Sequence, residues 1–115
     1  MRWSDLVAAL DATEAVSAPD FEFENCAAAD LLSDILGTDK EDFVILTGQA
    51  SPQAIRTAIA VGALGMVVVR GKHLPAETIA LAENHGVPLA VTRLRMFETC
   101  VTAGEHLWTS PSIKS

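Results

Sequence analysis

FVILTGQASPQAIR, residues 43–56, passes from an unbroken apolar run into a glycine turn and then into a helix start. Phe43 to Leu46 show no alternation of polar and apolar side chains, which suits a strand buried on both faces. Thr47, Gly48 and Gln49 end the run. Ser51-Pro52 then opens a helix, with Pro52 at the first helical position, where no N–H is needed. A βα turn whose backbone approaches a phosphate has this form. So does a tight turn with no ligand.

The pattern repeats downstream. MVVVR (66–70) and PLAVT (88–92) are further β-branched runs, and the centres Val44, Val67 and Ala90 follow at intervals of 23 residues. That interval holds a strand, a turn, about ten helical residues and a second turn. PQAIRTAIAV (52–61) places Ile55 and Ile59 on one helical face, and Gly62 stops it. PAETIALAENHG (75–86) has Glu77 in its first turn, His85 at its end and Gly86 as its stop. MFETCVTAGEHLW (96–108) reads as a closing helix, and TSPSIKS (109–115) as a flexible tail. Consecutive βα units require parallel strands and right-handed crossovers. The fold expected is a layered α/β domain, single over residues 1–108, with a mainly parallel sheet.

The first 42 residues are less regular. Ser4 is placed to cap a helix over DLVAALDA (5–12). TEAVS (13–17) fits a short strand. APDFEFEN (18–25) fits a loop with two aromatics, or a strand alternating Phe21 and Phe23 with Glu22 and Glu24. AAADLLSDILG (27–37) reads as a helix stopped by Gly37. Any N-terminal strand would make the sheet mixed.

Half of the 115 residues are apolar and only 20% are charged, so the chain has a core to bury. No apolar run approaches the ~18 residues of a membrane span, and the first residues lack a secretory pattern. A cytoplasmic location, away from membranes, is expected. Cys26 and Cys100 are far apart without CxxC spacing and read as reduced thiols. His73, His85 and His106 form no metal-binding pair, and neither metal nor cofactor is expected. The net charge is −7. Residues 1–42 carry eleven acids against Arg2 and Lys40, a net −9; residues 43–115 carry four acids against six bases, a net +2. An acidic chain is a poor nucleic-acid binder, because phosphate contacts supply most of that affinity.

Common catalytic signatures are absent. There is no GxGxxG and no GxSxG, and no tyrosine at all. Gly71-Lys72 resembles a P-loop ending, but the upstream glycine is misspaced and His73 stands where Ser or Thr should bind magnesium. What remains is positional. Ligands of open α/β sheets sit at the carboxyl ends of parallel strands. Those ends carry Thr47-Gly48-Gln49, Arg70-Gly71-Lys72 with His73, and Thr92-Arg93 with Arg95. Thr47, Gly48, Gln49, Arg70, Gly71, Lys72, Thr92 and Arg93 are therefore the candidate ligand-binding residues. A small anion site, an association surface and plain solvated loops are all compatible with them.

Several segments together resemble a known family. They are A-x-D-L-L-S-D-I (Ala28 to Ile35), the V-I-L-T strand, G-M-V-V-V, L-A-E-x-x-G-V-P-L-A-V-T (81–92) and M-F-E (96–98). Across residues 1–108 the chain resembles the DRTGG domain family, in particular its small stand-alone members. It is similar in fold to the N-terminal domain of HPr kinase/phosphorylase. The resemblance implies a regulatory module, of the kind that accompanies CBS domains or occurs near hydrogenase and signalling genes. It implies no enzymatic activity, since catalysis in HPr kinase belongs to a P-loop domain. The namesake motif is degenerate: Gln49-Ala50 stands where Asp-Arg is usual, and Arg70-Gly71-Lys72 where Thr-Gly-Gly is usual. That departure counts against ligand binding by the family's own motif.

The function expected is a non-enzymatic regulatory or protein-interaction module, forming a homodimer or docking on a protein partner. The alternative is a sensor of a small anionic ligand, such as a nucleotide or phosphometabolite, at the strand ends. A phosphohistidine carrier through His73 would rest on one loop histidine with no orienting partner in the sequence.

Overall fold

The computed structural model describes residues 1–107. The expected tail, and Trp108 at the end of the expected last helix, lie outside the described residues. The chain runs α1 (Trp3–Ala9), β1 (Thr13–Val16), β2 (Asn25–Ala28), α2 (Leu32–Leu36), β3 (Phe43–Thr47), α3 (Pro52–Val61), β4 (Gly65–Val68), α4 (Ala76–His85), β5 (Leu89–Val91), α5 (Met96–Leu107). The five strands form one sheet in the order β1-β5-β4-β3-β2. β2 to β5 are parallel, and β1 joins the far edge antiparallel to β5. The sheet is mixed, as an N-terminal strand required.

Strands β3 and β4 are buried along their whole length, so their two faces feed two cores. Phe43, Ile45, Met66, Val68 and Leu89 pack with Ile35, Ile55 and Ala82 of α2 to α4. Val44, Leu46, Val67 and Ala90 pack with Trp3, Leu6 and Leu10 of the α1 region and Ala103 of α5. The result is three layers, with the crossover helices α2, α3 and α4 together on one face. α3 and α4 end on Gly62 and Gly86, both in the left-handed conformation that closes a helix.

Residues 17–24 join strands at opposite edges of the sheet. Four strand spacings amount to about 19 Å. Eight extended residues reach about 27 Å and eight helical ones about 12 Å, so this connection has to be extended. It crosses the α1 and α5 face and is held there by its aromatics. Phe23 is buried, and Phe21 stacks on Trp3 with centroids 5.4 Å apart. Gly65 makes room for the stack: a Cβ there would lie 3.1 Å from Trp3 and 3.3 Å from Phe21. Trp3 Nε1 donates to Glu14 Oε1 at 2.9 Å, tying the layer to β1.

Two expectations need correction. The helix expected over 27–37 is confined to Leu32–Leu36, and Asn25–Ala28 is a strand in register with Phe43–Leu46. Alanines favour a helix locally, but pairing with β3 bonds this backbone and buries Ala27. Ser33 and Asp34 are exposed, as a wet helical face requires. The second correction concerns α1, which starts at Trp3, so Ser4 is its second residue and not its cap. The capping group comes from the crossing segment: Asp20 accepts from Ser4 N at 2.9 Å, from Ser4 Oγ at 2.8 Å and from Arg2 Nε at 2.8 Å.

These bonds hold the Asp20 carboxyl down to about 2 from an ordinary 3.8, chiefly through the Ser4 N–H and then Arg2. A depressed carboxyl contributes stability that is present above its unfolded value and is lost as pH falls through its folded value. Asp20→Asn is therefore expected to lower the denaturation midpoint at pH 6. The gap to the unsubstituted protein should close between pH 4 and pH 2. Denaturant titrations at a series of pH values check this, and a gap independent of pH would show that the charge of Asp20 plays no part.

Candidate functional site

The carboxyl ends of β2, β3, β4 and β5 form one edge, where all eight candidate residues lie. The structure divides them into two groups. Around the end of β3, Asp30 is the organising residue. Gly48 N donates to Asp30 Oδ1 at 2.8 Å, and Gln49 Nε2 donates to the Asp30 carbonyl at 2.7 Å. Arg70 Nη1 stands 3.6 Å from Asp30 Oδ2. Thr47 is buried, and its hydroxyl accepts from Gln49 N at 3.1 Å. A Cβ at position 48 would collide with the Arg70 guanidinium and lie 2.8 Å from Asp30 Oδ1. The space that Gly48 opens is thus filled by Arg70.

Arg70 reaches this position from a left-handed backbone, φ +68°, followed by Gly71 at φ +59°. Two bonds to the loop after β5 hold that turn: Arg70 N to the Leu94 carbonyl at 2.8 Å and Gly71 N to the Thr92 carbonyl at 2.7 Å. These N–H groups point into the protein and are not free for an anion. Asp30 was absent from the candidates, although it is the acid of the A-x-D-L-L-S-D run. Only the placement of β2 beside β3 brings it to the edge.

The second group borders an open cleft of about 750 Å³ between the β1–β5 border and α4. Gly71, Lys72, Thr92 and Arg93 line it, together with His73. Thr47, Gly48, Gln49 and Arg70 lie outside it. Thr92 is structural: its buried hydroxyl donates to the Leu10 carbonyl at 2.7 Å and accepts from Leu94 N at 3.2 Å. Lys72 and Arg93 are exposed at the rim, and Asp11 is the acid among the lining residues. The start of α4 is tied to the loop after β3 by Thr78 Oγ1, which donates to the Ala50 carbonyl at 2.7 Å. The edge therefore offers two cations beside a concave surface and, separately, a half-exposed Asp30–Arg70 pair.

Elsewhere, Cys26 and Cys100 are free thiols that both line a cavity of about 150 Å³ beneath α5. Burial, with a smaller contribution from nearby Cys100, pushes the Cys26 thiol up to about 12, so it stays protonated. Among the described residues no group of three or more His, Cys, Asp or Glu could hold a metal ion. No described helix is long and apolar enough to cross a membrane.

The fold is similar to that of the CBS and DRTGG domains of the regulatory region of Clostridium perfringens pyrophosphatase, solved with its activator, diadenosine tetraphosphate. The TM-score is 0.72 at 14% identity, over 87% of this chain and 44% of that one. The chain spans less than half the length of that structure, and at this identity the likeness is one of fold. It supports a DRTGG-like architecture. No family model matches the sequence, and no curated protein does.

Asp30→Ala should lower the unfolding free energy by about 1–2 kcal/mol, the range for losing a buried N–H's acceptor and a charged partner. The ion pair is half exposed and long, so its own share is small. Asp30→Asn keeps an acceptor for Gly48 N and should lose clearly less. Urea titrations of both variants check this, and equal losses would discount the Gly48 bond.

Proposed function

We propose that this chain is a regulatory module without catalysis of its own, and that its input is a small anion bound in the cleft beside β5. The observation that carries this reading is the pairing of Lys72 and Arg93 with a concavity of about 750 Å³, a volume within the range of small-molecule sites. The cleft lies at the carboxyl ends of parallel strands, where open α/β sheets bind ligands. Similarity in fold to a regulatory region that binds a nucleotide activator supports the regulatory part. In this reading Lys72 and Arg93 hold the anion, Gly71 lets the backbone turn beneath Arg93, and Thr92 fixes the loop. Arg70 stays with Asp30.

A ligand at 100 times its dissociation constant stabilises a fold by ~2.7 kcal/mol. Thermal unfolding with inorganic phosphate, AMP, diadenosine tetraphosphate and short-chain phosphate esters should therefore show a raised midpoint for at least one of them. The rise should vanish in Lys72→Ala/Arg93→Ala and persist in Arg70→Ala. No shift with any anion would sink the reading.

A second reading, an interaction module that dimerises or docks on a partner of hydrogenase or signalling systems, is favoured by the outer face of α5. Phe97 is 75% exposed and Val101 44% exposed, one helical turn apart. Sedimentation at micromolar concentration should then give a dimer that Phe97→Ser dissociates. A monomer before substitution would remove self-association.

A further inference from the structure

The cleft has a chemistry of its own beyond its two cations. Its floor includes aliphatic side chains at the rim of the core shared with α2 to α4, packed against that core but not fully buried. Val68 of β4 is fully buried, whereas Val91, its partner on β5, is only partly so. Ala15 of β1 and Ile79 of α4 are likewise partly buried and line the same cleft. These aliphatic groups keep part of their surface open to the cleft.

The lining holds no Phe or Trp among the described residues, and its one ring is the exposed imidazole of His73. The aromatic residues Trp3, Phe21 and Phe23 belong to the other face of the sheet. A flat base would find no extended stacking surface here. The charge is also modest. Lys72 and Arg93 against Asp11 give the lining a net +1 with His73 neutral, which suits one anionic group and opposes a polyphosphate.

Resting on the proposed anion site, we infer that the cleft takes an anion with an aliphatic body, in the class of alkyl phosphate monoesters, in preference to a nucleotide. The phosphate lies at Lys72 and Arg93. The alkyl chain lies over Ile79, Val91 and Ala15 and covers the part of their surface that is open to the cleft. Burial of each methylene should raise affinity about fourfold until the floor is covered.

Isothermal titration of the full chain with methyl, butyl and hexyl phosphate, inorganic phosphate, AMP and diadenosine tetraphosphate tests this. The expected result is a dissociation constant that falls at each step of the alkyl series, with hexyl phosphate tighter than both nucleotides. Ile79→Ser should flatten the series while leaving inorganic phosphate binding in place, and Val91→Thr, nearly isosteric, repeats that test with less risk to folding. Lys72→Ala/Arg93→Ala should abolish binding of every ligand. A flat series, or a nucleotide bound more tightly than hexyl phosphate, overturns the aliphatic assignment and leaves the anion site standing. Absence of binding by every probe overturns both.

Discussion

A strand with apolar side chains on both faces has to be covered twice. β3 and β4 are such strands, buried from end to end, and the rest of the architecture follows from that demand. The helices α2 to α4 cover one face because right-handed crossovers between neighbouring parallel strands leave them all on one side. The other face is left to whatever precedes and follows the βα units. α1, α5 and the extended 17–24 segment meet that need, with Trp3, Phe21 and Phe23 supplying the bulk.

The covering is uneven, and the candidate site lies where part of the apolar floor stays open. α4 reaches β1, yet beside its first turns the border of β1 and β5 keeps a wet apolar floor formed by Ala15, Val91 and Ile79. The turns after β4 and β5 rise beside that floor, carrying Lys72 and Arg93. At the β3 end of the same edge two opposite charges stand together, half exposed. There the carboxylate of Asp30 gathers Gly48 N–H and Arg70. One edge thus has a half where the cation is paired with an acid and a half where two cations border a cleft.

Some of this was legible in the chain. The runs at 43–47, 66–70 and 88–92 mark the strands Phe43–Thr47, Gly65–Val68 and Leu89–Val91, being short, apolar, rich in β-branched residues and bounded by turn residues. The prolines and glycines around 52–62 and 75–86 bound their helices closely. Asn25–Ala28 was not legible. Its alanines suit a helix, and only the neighbouring β3 backbone makes a strand the better state. The cap of α1 was misread for a similar reason, since Asp20 reaches Ser4 through a connection that crosses the whole sheet.

Local pattern by itself determined the alternation of strand and helix, the parallel direction of the central strands, and the gathering of basic residues on one edge. Those features depend on periodicity and on chain direction, which sequence carries directly. Tertiary structure alone decided which of the basic residues border the cleft. Arg70 and Arg93 stand in like positions after successive strands, yet one is turned to Asp30 and the other to the cleft. The difference lies in what stands beside each: an acid from β2 in one case, and the uncovered floor of β1 and β5 in the other. Sequence proximity encodes neither neighbour, because both are set by the order of strands in the sheet.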